Sequence, residues 1–219
     1  MKMKIAKIIN LKNNQEFIES TYVLKNEIQI KKDFNKKSDH EIWSAFKEGD
    51  ENAFNYIYKV YTGMLCNYGY QFTKRKDLIR DVVQNLFIDL RKNRQTLAKV
   101  VCIKAFLFKW FYRALLKKLK KEQKYIFNTE LIEKQGFKIE ISQETKIIRE
   151  EMSSELKASL QAAVDKLTDR QRHIIILFFE EGLSYKDISV IMDFKDVKSA
   201  RKLVYRAITA IKKEMNGIF

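Results

Sequence analysis

The 219-residue chain contains no proline and only six glycines. These two residues form most of the tight turns of β-rich proteins, so their scarcity argues against a sandwich or barrel. The hydrophobic spacing described below is helical throughout. We therefore predict an all-α fold.

Cysteine and histidine are also scarce. Cys66 and Cys102 lie far apart in the sequence, and the only histidines are His40 and His173. The ligand spacings of a structural zinc site are therefore missing, and there is no cluster of nucleophile and base. We expect no metal, no cofactor and no catalytic residue, and we assign the cysteines to the hydrophobic core.

Long apolar runs are absent as well. No segment approaches the roughly 18 consecutive apolar residues of a membrane span. The lysine-rich start lacks the apolar core and the small-residue cleavage site of a signal peptide. We expect a cytoplasmic protein that does not insert into a membrane.

Positive charge is abundant. Lysine and arginine number 43 against 28 acidic residues, which gives a formal net charge of +15. Such an excess favours a polyanionic partner, nucleic acid first and an anionic membrane surface second.

Charge and hydrophobic spacing divide the chain into four segments. Residues 1–38 carry nine lysines against four acids and form an N-terminal extension that is poorly ordered or partly helical. Residues 39–125 are predicted to form a first helical domain and residues 153–219 a second. Residues 126–152, where glutamates outnumber basic residues, are predicted to be the linker.

Capping signals locate several helix ends. Residues 38–41 and 168–171 read as capping boxes, and residues 184–187 as a further N-terminal cap. Gly49 and Gly182 stand where the first and second of these helices would stop.

Three long amphipathic helices are predicted in the first domain. Apolar residues recur every three or four positions over residues 54–72 and again over residues 78–90. A third helix, residues 103–121, mixes aromatic residues with lysines. The second helix leaves a polar surface composed of Asp81, Gln84, Asn85 and Asp89.

The end of the chain has the layout of a helix-turn-helix DNA reader. A short helix and a turn at residues 193–196 lead into a longer helix, residues 197–215, which is basic and free of acids over residues 197–213. A solvated basic face on a terminal helix is the alternative. Arginine can contact guanine in the major groove, while lysine and serine contact phosphates. The predicted contacts are Lys198, Ser199, Arg201, Lys202, Tyr205 and Arg206.

Three blocks of sequence resemble the extracytoplasmic-function sigma factors, which belong to the sigma-70 family. Residues 167–189, LTDRQRHIIILFFEEGLSYKDIS, resemble region 4 of that family without a gap. Residues 81–88, DVVQNLFI, resemble its region 2.2, and residues 47–54, KEGDENAF, the start of its region 2. The blocks occur in family order.

The resemblance implies a division of labour. Region 4 would read the −35 promoter element, and region 2 would read and melt the −10 element. Residues 105–113, AFLFKWFYR, resemble the −10 segment, and rings among cations suit unpaired bases, although about half of these rings are expected in the core. The residues implied for the −10 element are Lys104, Phe106, Phe108, Lys109, Trp110, Tyr112, Arg113 and Lys117.

The resemblance also implies partners. Asp81, Gln84, Asn85 and Asp89 would dock on the clamp coiled coil of the polymerase β′ subunit, and part of region 4 would contact the β flap. Core RNA polymerase and promoter DNA are thus the expected partners, with an anti-sigma factor, often membrane-bound in this family.

Three other functions compete with this interpretation. A stand-alone helix-turn-helix regulator would bind a two-fold symmetric site but leaves the first domain unexplained. A DNA-processing enzyme would need clustered ligands or a nucleophile, and a two-metal site cannot be formed by Asp81 and Asp89, about 12 Å apart along a helix. A membrane-surface protein would carry one long amphipathic anchor instead of several folded stripes.

Overall fold

The computed structural model describes residues 33–126 and 154–215. Within these ranges all regular structure is helical, which confirms the all-α prediction. The N-terminal extension and the linker lie almost entirely outside the described residues. The helices, numbered in chain order, are α1 (Asp39–Glu48), α2 (Glu51–Tyr70), α3 (Lys76–Lys92), α4 (Ile103–Ile126), α5 (Ser154–Asp165), α6 (Asp169–Ile175), α7 (Tyr185–Ile191) and α8 (Val197–Met215).

The predicted caps are present. The Ser38 side chain accepts a hydrogen bond from the Glu41 backbone N–H, while the Glu41 carboxylate accepts one from the Ser38 N–H at 2.7 Å. The same reciprocal pair joins Thr168 and Gln171 at the start of α6. Each box satisfies two backbone donors that the helix itself leaves unpaired.

One predicted helix ends differently from expectation. The sequence predicts a regular helix from residue 169 to about Glu180, whereas α6 stops at Ile175 and a π-helical turn, Ile176–Glu180, follows. The Glu181 N–H there bonds to the carbonyl of Ile176, five residues back. Such a turn changes which side chains share a face, and the apolar spacing of the segment gives no sign of it.

By compactness the chain divides into two units, residues 1–59 with 93–101, and residues 60–92 with 102–219. This division follows packing in space and groups the helices differently from the sequence-based domain ranges, which remain a prediction.

In the first unit, the loop of residues 93–101 is held by side chains of α1 and α2. The indole N–H of Trp43 donates to the carbonyl of Ala98 at 3.0 Å, and the Lys47 ammonium donates to the carbonyl of Leu97. Arg94 pairs with Glu51 at 2.9 Å. Because Trp43 is buried, its single polar atom needs such a partner.

In the second unit, α3 and the second half of α2 pack against α4. Tyr68 contributes its ring to this core beside Phe108, with ring centres 4.7 Å apart, and both are fully enclosed. The apolar stripe of α3 faces the same core. The C-terminal helices belong to this unit too: α8 packs against α5, α6 and α7, and α7 also packs against α4.

Candidate nucleic-acid interface

Helix α8 separates a buried stripe from an exposed basic face. Ala200, Val204 and Ala207 face the core with almost no accessible surface. Five of the six predicted contact residues are exposed and Ser199 is half-buried. Lys198, Arg201, Lys202 and Tyr205 follow the spacing that places side chains on one side of a helix. The structure therefore brings the predicted −35 residues together on one accessible face.

Two contacts fix the start of this helix. The Asp196 carboxylate accepts a hydrogen bond from the Ser199 backbone N–H at 2.6 Å. Hydrogen bonding with Ser199 holds the pKa of Asp196 below its usual value. The Arg201 guanidinium lies 5.3 Å above the ring of Tyr185 in α7. The turn and the first half of α8 are thereby held in a defined orientation.

The turn between α7 and α8 contains a left-handed residue. Asp193 has a φ of 54°, and the Phe194 N–H bonds to the carbonyl of Ser189 at 2.9 Å, the long bond of a Schellman motif. Glycine is the usual residue at this position, and aspartate and asparagine are the side chains that tolerate it best.

Helix α4 carries the eight residues predicted for the −10 element, and one prediction needs correcting. Phe108 has no exposed surface because it packs against Tyr68 of α2, so in this structure it is a core residue and cannot contact DNA. Phe106 and Trp110 are half-buried and meet edge to face at 5.7 Å, and Lys117 is exposed.

The four remaining residues of that set contact the C-terminal helices. Lys109 and Arg113 both pair with the Asp193 carboxylate, at 2.8 Å each, and Arg113 reaches both of its oxygens. These two hydrogen-bonded cations hold the pKa of Asp193 below its usual range. Lys104 pairs with the Glu181 carboxylate at 2.9 Å and also donates to the Glu181 backbone carbonyl at 2.6 Å.

A buried aromatic cluster lies between these ion pairs. The ring of Tyr112 is centred 4.4 Å from that of His173 in α6. The hydroxyl of Tyr68 is hydrogen-bonded to Nε2 of His173, and both side chains are almost fully enclosed. Burial lowers the pKa of His173 to about 3, so the imidazole is neutral at physiological pH.

Helix α3 presents the predicted docking residues on its solvent side. Asp81, Gln84, Asn85 and Asp89 are all exposed, opposite the apolar stripe. Ile88 lies among them and is 54% exposed, which is high for a large apolar side chain on a helix. Asp81 forms an ion pair with Lys118 of α4, at 3.9 Å.

Within residues 33–126 and 154–215 there is no group of three or more His, Cys, Asp or Glu side chains placed to hold a metal ion. Over the same residues, none of the helices has both the length and the apolarity needed to cross a bilayer.

Sequence reasoning missed four residues of these surfaces: Ile88, His173, Glu181 and Asp193. Only Asp193 left a signal, because a turn without glycine needs another residue that accepts a left-handed conformation. The partners of Glu181 and His173 lie 77 and 105 residues away in sequence, which no local pattern can reveal.

Comparison with known proteins agrees with this geometry. The family described as Sigma-70, region 4, matches residues 157–211, which span most of α5 through α8. An ECF RNA polymerase sigma-E factor of Haemophilus influenzae is 24% identical over 189 residues, which cover 83% of this chain and 97% of that protein.

Two solved structures share the fold. CnrH, in complex with the cytosolic domain of CnrY, aligns with a TM-score of 0.54 and 15% identity over 84% of this chain and 100% of that one. The sigma factor RpoE of Bartonella quintana, in complex with the anti-sigma factor NepR, aligns with a TM-score of 0.55 and 19% identity over 76% and 98%. Residues 157–211 thus match region 4 of the sigma-70 family, the chain is similar in sequence to an ECF RNA polymerase sigma-E factor, and it shares its fold with the sigma factor RpoE; together with the helix-turn-helix geometry and the basic face of α8, these similarities support a role in transcription initiation.

Proposed function

We propose that the chain directs core RNA polymerase to promoters, with α8 reading the −35 element and α4 reading and melting the −10 element. The observation that carries this proposal is the basic surface of α8, where five of the six predicted contact residues are exposed to solvent within the segment that matches region 4. The domain ranges 39–125 and 153–219, joined by residues 126–152, are part of the proposal.

Reading of the −35 element is attributed to the first half of α8. A recognition helix contacts base edges mainly through its N-terminal residues, which here include Arg201 and Lys202. The forked guanidinium of arginine can bond to O6 and N7 of one guanine, whereas lysine and serine contact phosphates. Tyr205, 59% exposed, adds a ring with a polar tip to the same face.

Melting of the −10 element is attributed to the accessible part of α4. Phe106 and Trp110 provide partly exposed rings, and Lys117 is an exposed cation on the same helix. Unpaired bases stack on such rings, with a contribution of about 1–3 kcal/mol per base, while cations follow the phosphates.

Docking on the polymerase is attributed to two surfaces. The exposed side of α3 combines carboxylates, amides and Ile88, which suits the β′ clamp coiled coil. Within the π-helical turn, Phe179 is 60% exposed and is a candidate contact for the β flap.

An anti-sigma factor is the further partner that we propose. It is supported by the solved structure of the similar sigma factor from Bartonella quintana, which contains the anti-sigma factor NepR. In extracytoplasmic-function sigma factors such partners are often membrane-bound. We place this chain itself in the cytoplasm, and we assign it no catalytic residue, metal or cofactor.

The test is reconstitution with a bacterial core RNA polymerase. Wild-type protein should co-elute with the polymerase on a sizing column and initiate specifically on a pool of promoter fragments. Arg201→Ala should abolish initiation and leave co-elution intact, because its side chain lies on the DNA-reading face. Lys213→Ala removes an exposed cation from the far end of the same helix and serves as the matched control, with initiation retained.

Two outcomes would contradict the proposal. Equal loss of polymerase binding by Arg201→Ala would show that α8 is not reserved for DNA. Absence of co-elution, together with tight binding of the protein alone to a palindromic duplex, would identify a stand-alone helix-turn-helix regulator.

A further inference from the structure

Half of the side chains proposed to hold −10 DNA already have partners on the C-terminal helices. Lys104 pairs with Glu181, Lys109 and Arg113 pair with Asp193, and Tyr112 packs on His173. The first three are cations that would otherwise follow DNA phosphates.

We propose that this contact is an autoinhibitory latch, in which Glu181 and Asp193 occupy the cations of α4 so that the −10 surface opens only when the C-terminal helices leave it. The inference rests on the proposed role of α4 in DNA binding. The C-terminal helices of the same chain occupy the −10 surface of α4, and single-stranded DNA competes with them for it.

The carboxylates take the place that phosphates would occupy. Both oxygens of the Asp193 carboxylate accept hydrogen bonds from Nη2 of Arg113, at 2.8 and 2.9 Å, distances at which a guanidinium also bonds to phosphate oxygens. Lys104 is bonded to both the side chain and the backbone of Glu181, and the two side chains are only 21% and 12% exposed. While these bonds persist, the Lys104 ammonium and Nη2 of Arg113 are engaged by carboxylate oxygens instead of phosphates.

The backbone at Asp193 supports a role for its charge. Its φ of 54° is a conformation in which glycine is least strained, and its carboxylate points at two cations of α4. Asparagine tolerates the same conformation, so the charge can be removed without changing the turn.

The contact includes an open groove and a solvent-accessible ion pair. A groove of about 490 Å³ lies between α4 and the C-terminal helices, lined by Tyr112, Leu116, His173 and Met192, among others. The side chains of Asp193 and Arg113 are 55% and 60% exposed, so salt screens this ion pair. The Lys104–Glu181 pair is therefore largely buried, whereas the Arg113–Asp193 pair is accessible to a competing polyanion.

The first experiment detects the latch in the full-length wild-type protein. A water-soluble carbodiimide joins lysine and carboxylate side chains that are in direct contact, and mass spectrometry then identifies the joined peptides. We expect Lys104–Glu181 and Lys109–Asp193 links in the free protein and their loss when a single-stranded oligonucleotide is added. Absence of both links, or links that persist on DNA-bound protein, would overturn the latch.

The second experiment measures its effect on DNA binding. Glu181→Gln/Asp193→Asn should bind a fluorescent single-stranded oligonucleotide about fivefold more tightly than wild type at moderate salt. Asp77→Asn/Glu214→Gln removes two acids away from the contact and controls for the change in net charge. An equal gain in both double variants would overturn the latch.

Lys117→Ala separates failure of the latch from failure of the proposed function. Lys117 is an exposed residue of α4 outside the contact. If α4 binds DNA, Lys117→Ala weakens oligonucleotide binding both in wild type and in the opened double variant. If this change has no effect, α4 is not the DNA surface; if it weakens binding but the acid substitutions bring no gain, the latch alone is wrong.

Discussion

Gly69 determines how closely α2 approaches its neighbours. A Cβ atom built at this position would lie 2.8 Å from Cγ2 of Ile79 in α3 and 2.9 Å from Cζ of Phe111 in α4. Both contacts are shorter than packed carbon atoms tolerate, and both partners are fully buried. The glycine is therefore a packing requirement in the last turn of α2.

We expect Gly69→Ala to lower the free energy of unfolding by up to about 2 kcal/mol. The better helix propensity of alanine contributes about 1 kcal/mol, but overpacking a filled core costs about 1–3 kcal/mol. Denaturant unfolding followed by circular dichroism measures the difference.

Gly63→Ala is the matched control in the same helix. Nothing lies within 4 Å of a Cβ built there, so this change should stabilise the protein by about 0.5–1 kcal/mol. A stabilising Gly69→Ala would mean that α2, α3 and α4 pack less closely than described.

Asp193 and Phe108 show how residue type and role can separate. The sequence places Asp193 in a turn and predicts Phe108 as a DNA contact. The ion pairs of Asp193 depend on a helix 80 residues away, and the burial of Phe108 depends on Tyr68 of α2. Neither could be derived from local pattern, because burial is decided by which elements meet.

Helix α3 shows the opposite case, in which periodicity alone located a surface. Its seven apolar residues at helical spacing are all buried, as the sequence predicts. The other side of the helix then has to face solvent in this chain, and the predicted polar residues lie there together with Ile88.

We expect Gln84→Ala/Asp89→Ala to reduce co-elution with core RNA polymerase strongly while leaving the fold intact. Truncation of a few central interface residues commonly removes most of the binding free energy. Sizing-column co-elution and circular dichroism measure the two effects.

Gln161→Ala/Asp165→Ala removes the same two types of side chain from α5 and should co-elute like wild type. If both variants lose polymerase equally, or if neither does, α3 is not the docking surface. Because the whole exposed face of α3 is expected to contact the polymerase, Ile88→Ala should also reduce co-elution.

At the scale of the whole molecule, the partly buried Glu180 and the buried His173 have opposite effects on how stability depends on pH. Burial and the nearby Glu181 raise the pKa of Glu180 from 4.5 to about 7. The folded state then holds a proton that the unfolded chain has released, so the free energy of unfolding falls as pH rises through this window. His173, with its pKa lowered from 6.5 to about 3, acts in the opposite sense: the unfolded chain binds a proton below about pH 6.5 and the folded state does not.

We expect Glu180→Gln to be as stable as wild type near pH 4.5 and more stable by about 2 kcal/mol above pH 7.5. The reason is that the wild type must ionise a largely buried carboxyl group as pH rises, whereas glutamine stays neutral. Denaturant unfolding at a series of pH values measures this difference.

Glu214→Gln makes the same chemical change at an exposed position and controls for the loss of one carboxylate. A stability difference between Glu180→Gln and wild type that does not change with pH would show that Glu180 titrates normally in the folded protein.

The sequence by itself determined the helical class, the caps at Ser38, Thr168 and Ser184, the buried stripe of α3 and the extent of α8. These features depend on interactions within about four residues and on the period of the helix, both of which are written in the order of residues. The basic face of α8 and its family resemblance are equally local.

Tertiary structure alone decided which cations of α4 are paired, which of its rings are buried, and that a neutral His173 lies against Tyr68. Each of these contacts joins helices far apart in the chain, and nothing in the period of one helix specifies its neighbour. Burial, ion pairing and the pKa values that follow from them are properties of that assembly, which is why the proposed latch could be found only in the folded chain.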